Sequence, residues 1–127
     1  MTETDLNIEK TQSTPSVQTD AEQGILKLTG DAYPENSFEF FTPILHWIEA
    51  QLTENDQPLT LELRLVYLNT SSVKAMMDLF DMLEDAHQNG QSVQVVWYYD
   101  PRNERVIEMV EEFKEDCTFS FEITAEA

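Results

Sequence analysis

The sequence has few of the residues that carry nucleophilic, metal-binding and phosphate-binding chemistry. Its 127 residues include one cysteine, three glycines and two histidines. The single cysteine, Cys117, excludes an internal disulfide and a thiolate zinc site. The three glycines do not form a glycine-rich loop that would hold a phosphate. These absences exclude the sequence patterns of disulfide-linked, zinc-finger and P-loop proteins.

Basic residues are also scarce. Seven lysines and arginines stand against 25 aspartates and glutamates, which gives a formal net charge of −18. Nucleic acids and anionic membranes both bind to basic surfaces, so neither partner is expected. The longest stretch without a charged residue, residues 86–99, is half polar, and no membrane-spanning helix is predicted. The first ten residues lack the basic start and apolar centre of a signal peptide, so a cytoplasmic location is expected.

The apolar pattern predicts one α/β domain. Residues 1–13 are polar and lack periodicity, which predicts a mobile N-terminal tail before a domain at residues 14–127. The first helix has two possible starts, at Ser37 and at Thr42. The other predicted elements are a hairpin of strands at residues 16–19 and 24–30, strands at residues 59–68, 92–99 and 117–124, and helices at residues 71–89 and 103–115.

The order of these elements predicts how the sheet is built. Strands that are separated by helices need crossover connections and pair mostly in parallel. Polar residues at alternate strand positions indicate that the helices pack mainly on one sheet face, with the other face partly wet. Alternation in the strand at residues 59–68 predicts one shared face for Leu59, Leu61, Leu63, Leu65 and Tyr67. Helical spacing at residues 71–89 predicts an apolar face of Val73, Met76, Met77, Phe80 and Leu83.

Candidate catalytic groups are few and unpaired. His46 and His87 lie on predicted helices and do not have the spacing of metal ligands. Cys117 at the start of a predicted strand is typical of a small buried side chain rather than a nucleophile. The acidic residues are spread over helix faces, and no spacing marks a carboxylate pair or a cation-binding loop. No enzymatic activity, cofactor or metal is therefore expected.

One segment carries a cluster of hydroxyl groups. A predicted strand runs directly into Asn69, Thr70, Ser71 and Ser72, which open the next helix. In one interpretation these residues only cap the helix, since such side chains accept hydrogen bonds from its free N–H groups. In the other, one hydroxyl is a phosphorylation switch at a sheet edge, where open α/β folds present their sites. A phosphate there gains from the helix dipole, with Lys74 one turn further on as a partner, and adds negative charge to a docking surface.

Several short motifs along the chain carry a resemblance to a known family. They are Thr14-Pro15, Gly24-Ile-Leu-Lys-Leu-Thr-Gly30, Tyr33-Pro34-Glu35-Asn36, Phe40-Phe41-x-Pro43, Leu68-Asn69-Thr70-Ser71-Ser72 and Val96-Trp97-Tyr98-Tyr99. In this order and spacing they resemble the SiaC family of bacterial regulatory phosphoproteins. The resemblance spans about Thr14 to Thr124.

The resemblance implies a fold similar to STAS domains, the type found in anti-sigma-factor antagonists. It implies that Thr70 is phosphorylated by a serine/threonine kinase with a histidine-kinase-like ATPase fold, and that a metal-dependent serine/threonine phosphatase reverses this. The unmodified form is expected to bind and activate a diguanylate cyclase, which raises cyclic di-GMP and promotes aggregation or biofilm growth. Asn69, Ser71 and Ser72 are expected to shape the helix start, and Lys74 to pair with the phosphate.

Three other functions are compatible with the residues alone. The first is an anti-sigma-factor antagonist, which is also switched by phosphorylation but has an anti-sigma factor as its partner. The second is a module that binds a small ligand on the wet sheet face with Tyr98 and Arg64. The third is an enzyme that uses the acidic residues, which is the least favoured because no oriented nucleophile or base is evident. The residues alone do not choose Thr70 over Ser71 or Ser72, whereas the family resemblance favours Thr70.

Overall fold

The helices and strands are close to those that the apolar pattern predicts. The computed structural model describes residues 5–54 and 57–126. In chain order the elements are β1 (Asn7–Ile8), β2 (Ser16–Asp20), β3 (Ile25–Ala32), α1 (Ser37–Glu54), β4 (Leu59–Leu68), α2 (Thr70–Gln88), β5 (Val93–Tyr99), α3 (Glu104–Glu115) and β6 (Ser120–Ala125).

The strands form one six-stranded sheet in which spatial order equals chain order. The pairs β1–β2 and β2–β3 are antiparallel, and β3–β4, β4–β5 and β5–β6 are parallel. Each of the three helical crossovers moves one strand further in the same direction. Because such crossovers are right-handed, they place all three helices on the same face of the sheet. The predicted α/β class, the N-terminal hairpin and the mostly parallel sheet are confirmed.

The core lies between the helices and one face of the sheet. On β4, the side chains of Leu61 and Leu63 are fully buried, while those of Glu62 and Arg64 on the opposite face stay partly exposed. Each large apolar side chain buried in this way contributes about 1.5–3 kcal/mol to stability. The largest fully buried side chains come from both layers and include Trp47, Trp97, Phe41, Ile44, Ile48, Leu26, Leu28, Met76 and Leu79.

The N-terminal segment differs from its prediction as a mobile tail. Asn7 and Ile8 form β1, which pairs with β2. The carboxylate of Asp5 accepts hydrogen bonds from the backbone N–H of Ala21 at 2.8 Å and from Nε1 of Trp47 at 3.3 Å. A strand of two residues is too short to show periodicity, so the sheet begins before residue 14 without a signal in the sequence. Residues 1–4 lie outside the described residues.

A β-bulge interrupts the regular alternation at the end of β4. Gly30 of β3 pairs with Leu65, but Ala32 pairs with Leu68, so β4 holds one extra residue between these pairs. The bulge turns Leu68 inward and leaves Val66 and Tyr67 51% and 54% exposed. The prediction that Tyr67 shares the buried face of the leucines is therefore wrong. The extra residue shifts the alternation, so Tyr67 and Leu68 point to the face opposite to the one that a regular strand would give them.

The first helix begins at the earlier of the two predicted starts. The side-chain oxygen of Asn36 accepts a hydrogen bond from the backbone N–H of Glu39 at 3.0 Å, so Asn36 provides the cap. Helix α1 then starts at Ser37 and continues through Pro43. Asn36, rather than Ser37, satisfies the free N–H group, which leaves the Ser37 hydroxyl available for a different contact.

Candidate functional site

The Asn69–Ser72 segment lies at the carboxyl ends of β3 and β4. The backbone N–H of Asn69 donates to the carbonyl of Ala32 at 3.0 Å, and its side-chain amide donates to the carbonyl of Pro34 at 3.4 Å. These two bonds hold the loop after β3 against the start of α2. The segment therefore lies at the carboxyl-terminal end of the strands, where open α/β folds present their sites.

Asn69 is the N-cap of α2. Its side-chain oxygen accepts hydrogen bonds from the backbone N–H of Ser72 at 2.9 Å and from the hydroxyl of Ser71 at 3.4 Å. A cap of this kind is worth about 1 kcal/mol. The capping interpretation therefore accounts for Asn69, and the three hydroxyl groups that follow it need another explanation.

The three hydroxyls have different surroundings. Ser72 is fully buried, and its Oγ lies 3.2 Å from the Oγ of Ser37. Ser71 is exposed, but its Oγ shares a hydrogen bond of 2.6 Å with the Oγ of Ser37. Thr70 is exposed at the first position of α2, and its hydroxyl makes no hydrogen bond to any residue that the structure describes. Thr70 therefore offers a modifying enzyme a hydroxyl that is both exposed and without a hydrogen bond to the described residues.

Ser37 is a site residue that the sequence pattern does not indicate. It is buried in the first turn of α1, and its hydroxyl bridges those of Ser71 and Ser72. The residues of each pair are 34 and 35 positions apart in the chain. No local pattern connects them, because only the packing of α1 against α2 brings the two helix starts together.

Lys74 lies one turn after Thr70 on α2 and makes a surface ion pair. Its Nζ is 3.5 Å from the carboxylate of Asp78, and both side chains are largely exposed. An exposed pair of this kind contributes less than about 1 kcal/mol, so Lys74 exchanges partners at little cost. Residues four apart share a helix face, which places Lys74 on the same side as Thr70.

Exposed apolar side chains lie on the segments next to the start of α2. Phe38 in the first turn of α1 is 82% exposed, and it lines a shallow cavity of about 430 Å³ together with Ser71 and Lys74. The rings of Tyr33 and Tyr67 meet edge to face, with centroids 5.7 Å apart. Large exposed apolar groups of this kind mark interaction surfaces. Tyr33, Phe38 and Tyr67 lie on the chain segments that adjoin Asn69 and Ser71, and we call these three side chains the apolar rim. Val66 lines the cleft beside Arg64 instead.

The residues of the alternative ligand site, Arg64 and Tyr98, are also close together. The Arg64 guanidinium lies 4.2 Å from the Tyr98 ring centroid. It donates to both carboxylate oxygens of Glu126, at 2.8 and 3.1 Å, and this contact lowers the pKa of Glu126. Arg102 lines the same open cleft of about 860 Å³ and is paired with Asp100 at 2.7 Å. Arg64 and Arg102 thus each face a carboxylate in this cleft, which Glu104 and Arg105 also line.

Cys117 does not have the properties of a nucleophile. Its thiol is half-buried and donates to the carbonyl of Phe113 at 3.3 Å. Burial raises its pKa to about 11, and the negative charges of Glu84, Asp116 and Asp81 add to the effect. The thiol is therefore protonated at neutral pH.

Among residues 5–54 and 57–126, no three histidine, cysteine or acidic side chains come together in a group that would hold a metal ion. None of the described helices combines the length and apolar character that crossing a membrane requires.

The chain is similar in sequence and fold to members of one known family. Residues 8–126 match the SiaC family of regulatory phosphoproteins. The chain is 56% identical over 121 residues to an uncharacterised protein of Pseudomonas aeruginosa strain UCBPP-PA14, covering 95% of this chain and 96% of that protein. It superposes on a solved structure of SiaC of P. aeruginosa with a TM-score of 0.92 at 52% identity, covering 98% of this chain and 100% of that one.

A second solved structure is a complex. It contains the diguanylate cyclase SiaD and its activator SiaC, both from P. aeruginosa. The match has a TM-score of 0.94 at 56% identity and covers 96% of this chain and 100% of that chain. Sequence and fold agree over nearly the whole length, and the chain belongs to the SiaC family of regulatory phosphoproteins.

Proposed function

We propose that this protein is a phosphorylation-controlled activator of a diguanylate cyclase, with Thr70 as the phosphoacceptor. The unmodified form binds and activates the cyclase, and phosphorylation of Thr70 stops both the binding and the activation. The observation that carries the proposal is the exposed hydroxyl of Thr70, which has no hydrogen bond to the described residues and lies on a segment that adjoins the exposed side chains of the apolar rim. The 56% identity to an activator solved with its cyclase supports the choice of effector.

The position of Thr70 explains how a phosphate can change binding without unfolding the helix. Thr70 is the first residue of α2, where the helix dipole and free N–H groups favour an anion. Lys74 is on the same face and has only Asp78 as its partner among the described residues. The modification therefore leaves α2 intact and adds nearly two negative charges to the apolar rim. A partner that packs on this rim then has to bury an anion, which weakens binding.

The proposed switch needs two enzymes. A serine/threonine kinase with a histidine-kinase-like ATPase fold adds the phosphate, and a metal-dependent serine/threonine phosphatase removes it, as the family resemblance implies. The exposure of Thr70 supports both steps, because each enzyme must enclose the threonyl side chain. The expected outcome in the cell is control of cyclic di-GMP and, through it, of aggregation or biofilm growth.

The direct test measures cyclic di-GMP synthesis by SiaD of P. aeruginosa with purified chain. Wild type and Thr70→Ala are expected to stimulate the cyclase equally, and Thr70→Glu is expected to stimulate it much less. Ser71→Ala is the matched control, since it removes the neighbouring exposed hydroxyl and leaves Thr70 in place. SiaC of P. aeruginosa serves as the positive control. A chain that fails to stimulate SiaD while the Pseudomonas protein does so would overturn the proposed effector.

The phosphoacceptor is tested separately by site mapping of the protein purified from its native cells. Phosphate on Thr70 that disappears with phosphatase is the expected result. Phosphate on Ser71 instead would keep the phosphorylation switch but assign it to a different residue. In a separate pull-down from the same cells, recovery of an anti-sigma factor would replace the cyclase as the effector.

A further inference from the structure

The three arginines of the chain, Arg64, Arg102 and Arg105, all line the open cleft of about 860 Å³. The chain has only seven basic residues in total, against 25 acidic ones. At physiological ionic strength, exposed charges more than about 8 Å apart are largely screened from each other. The side chains of the cleft, rather than the net charge of −18, therefore decide which ligand it attracts.

The cleft lies between the carboxyl-terminal halves of β4 and β5 and the start of α3. These elements contribute Arg64, Tyr98 and Arg105 respectively. Asn103 caps α3 by accepting a hydrogen bond from the backbone N–H of Val106 at 3.4 Å. The start of a helix carries a partial positive charge, which adds to that of the arginines. Both the position and the size of the cleft are those of small-molecule sites in α/β folds.

Arg64 is held in position by an aromatic ring and a carboxylate. Its guanidinium lies 4.2 Å from the Tyr98 ring centroid and donates to both carboxylate oxygens of Glu126, at 2.8 and 3.1 Å. The backbone N–H of Glu126 donates to the carbonyl of Tyr99 at 2.7 Å, which fixes this carboxylate beside the arginine. The side chains of Arg64 and Glu126 are still 32% and 43% exposed. The cleft thus presents a guanidinium and a carboxylate side by side, within reach of a ligand.

The other two arginines are available to an anion. The side chain of Arg102 is 88% exposed and lies 2.7 Å from the carboxylate of Asp100. Exposed ion pairs of this kind contribute little stability, so Arg102 exchanges partners at little cost. Arg105 is exposed, and none of the ion pairs among the described residues includes it. Two guanidinium groups can therefore bind a phosphate, in addition to the fixed pair of Arg64 and Glu126.

We infer that this cleft binds a guanine nucleotide. The inference goes beyond the proposed function and does not depend on it. Guanine presents the acceptors O6 and N7 to an arginine, and its N1–H and 2-amino groups donate to a carboxylate. The adjacent Arg64 and Glu126 supply both kinds of partner. The two tyrosines of the cleft provide aromatic surface for the base, and Arg102 and Arg105 bind the phosphate.

The mixture of charges in the cleft favours guanine over simpler anions and over adenine. Inorganic phosphate gains from the arginines, but the carboxylates of Asp100 and Glu126 next to them repel it. Adenine presents a single acceptor, N7, on the edge where guanine presents two, so it cannot accept two hydrogen bonds from one guanidinium. Guanine makes use of the carboxylates as well as the arginines, because it carries donors and acceptors together.

Calorimetric titration of the purified wild-type chain tests the ligand class. GMP and GTP are expected to bind about tenfold or more tightly than AMP and ATP, and inorganic phosphate to bind more weakly than GMP. Cyclic di-GMP is titrated in parallel, and its affinity relative to GTP shows whether the ligand is a free nucleotide or the product of a diguanylate cyclase. Equal affinities for GMP and AMP, or no binding of any guanine nucleotide at millimolar concentration, would overturn the inference.

Substitutions locate the site. Arg105→Gln removes an exposed, unpaired guanidinium and should weaken GTP binding about tenfold, whereas Lys114→Gln removes an exposed charge of α3 outside the cleft and should change it less than about twofold. Arg64→Lys keeps the charge but loses the two-pronged contact, so the ratio of GMP to AMP affinity should fall towards one. Glu126→Gln, at an exposed position, should lower the same ratio. Equal effects of Arg105→Gln and Lys114→Gln, or an unchanged ratio in both other variants, would overturn the inference.

The outcomes separate this inference from the proposed function. If the wild-type chain binds guanine nucleotides but does not stimulate SiaD while SiaC of P. aeruginosa does, the proposed function fails and the inference stands. If the chain stimulates SiaD but binds no guanine nucleotide, the inference fails and the proposed function stands.

Discussion

The Oγ atoms of Ser37 and Ser71 lie 2.6 Å apart and join the first turns of α1 and α2. The Oγ of buried Ser72 lies 3.2 Å from the same Ser37 hydroxyl. The buried Ser37 hydroxyl on α1 is thus within hydrogen-bond distance of both serine hydroxyls that follow Thr70. The consequence is that Thr70 has the exposed, unbonded hydroxyl of this segment among the described residues.

Removal of the Ser37 hydroxyl should destabilise the protein. Ser37→Ala leaves the buried hydroxyl of Ser72 without its Ser37 partner, and an unsatisfied buried group of this kind costs about 1–3 kcal/mol. Ser71→Ala removes an exposed hydroxyl and should cost less than Ser37→Ala. Urea unfolding of both variants measures the difference, and equal losses would show that the bridge to Ser72 adds nothing.

Loss of the cap should weaken the start of α2. Asn69→Ala removes the acceptor for the Ser72 N–H and should lower the free energy of unfolding by about 1 kcal/mol. Asn69→Asp keeps the acceptor and adds a charge that the helix dipole favours, although it loses the bond to the Pro34 carbonyl. We therefore expect the aspartate variant to be more stable than the alanine variant at neutral pH. Thermal unfolding of both variants beside wild type tests this order.

Phosphorylation of Thr70 should preserve the fold. An anion at the N-terminus of α2 is expected to stabilise the helix by about 0.3–1 kcal/mol. The phosphorylated protein should therefore show an unchanged circular dichroism spectrum and an equal or slightly higher melting temperature. A clear fall in melting temperature would mean that the phosphate acts by unfolding the site rather than by changing its charge.

Glu84 should make stability depend on pH in the acid range. Its carboxylate accepts hydrogen bonds from the backbone N–H of Thr118 at 2.7 Å, from the Thr118 hydroxyl and from Gln88, and these contacts lower its pKa from 4.5 to about 2. The unfolded chain binds this proton more tightly than the folded protein. The contribution of Glu84 is therefore present above about pH 4.5 and is lost as the pH falls towards 2.

The variant Glu84→Gln isolates this effect. It should be less stable than wild type at neutral pH, and the difference should shrink between about pH 4.5 and 2. Thr118 is 34 residues away in sequence, so the contact is absent in the unfolded chain. Glu108→Gln, which makes the same change on the exposed surface of α3, serves as the control. If the difference in unfolding free energy between wild type and Glu84→Gln stayed constant across the pH range, it would contradict the lowered pKa of Glu84.

Local patterns in the sequence predict most of the elements but not their exceptions. Alternation locates β4 at residues 59–68 because strand burial repeats every second residue. The same rule misplaces Tyr67, since a bulge changes the face of the residues that follow it. The short strand β1 has no periodicity of its own, and its position depends on pairing with β2 and on the contacts of Asp5.

By itself, the sequence determined the α/β class, the order of helices and strands, and the hydroxyl cluster at the start of α2. These features follow from residues that are neighbours along the chain. Only the tertiary structure decided that the Ser37 hydroxyl forms hydrogen bonds with those of Ser71 and Ser72, that Thr70 remains exposed, and that Met77 lies in a groove beside α3. The physical reason is that exposure and partner choice depend on packing between helices that are far apart in sequence.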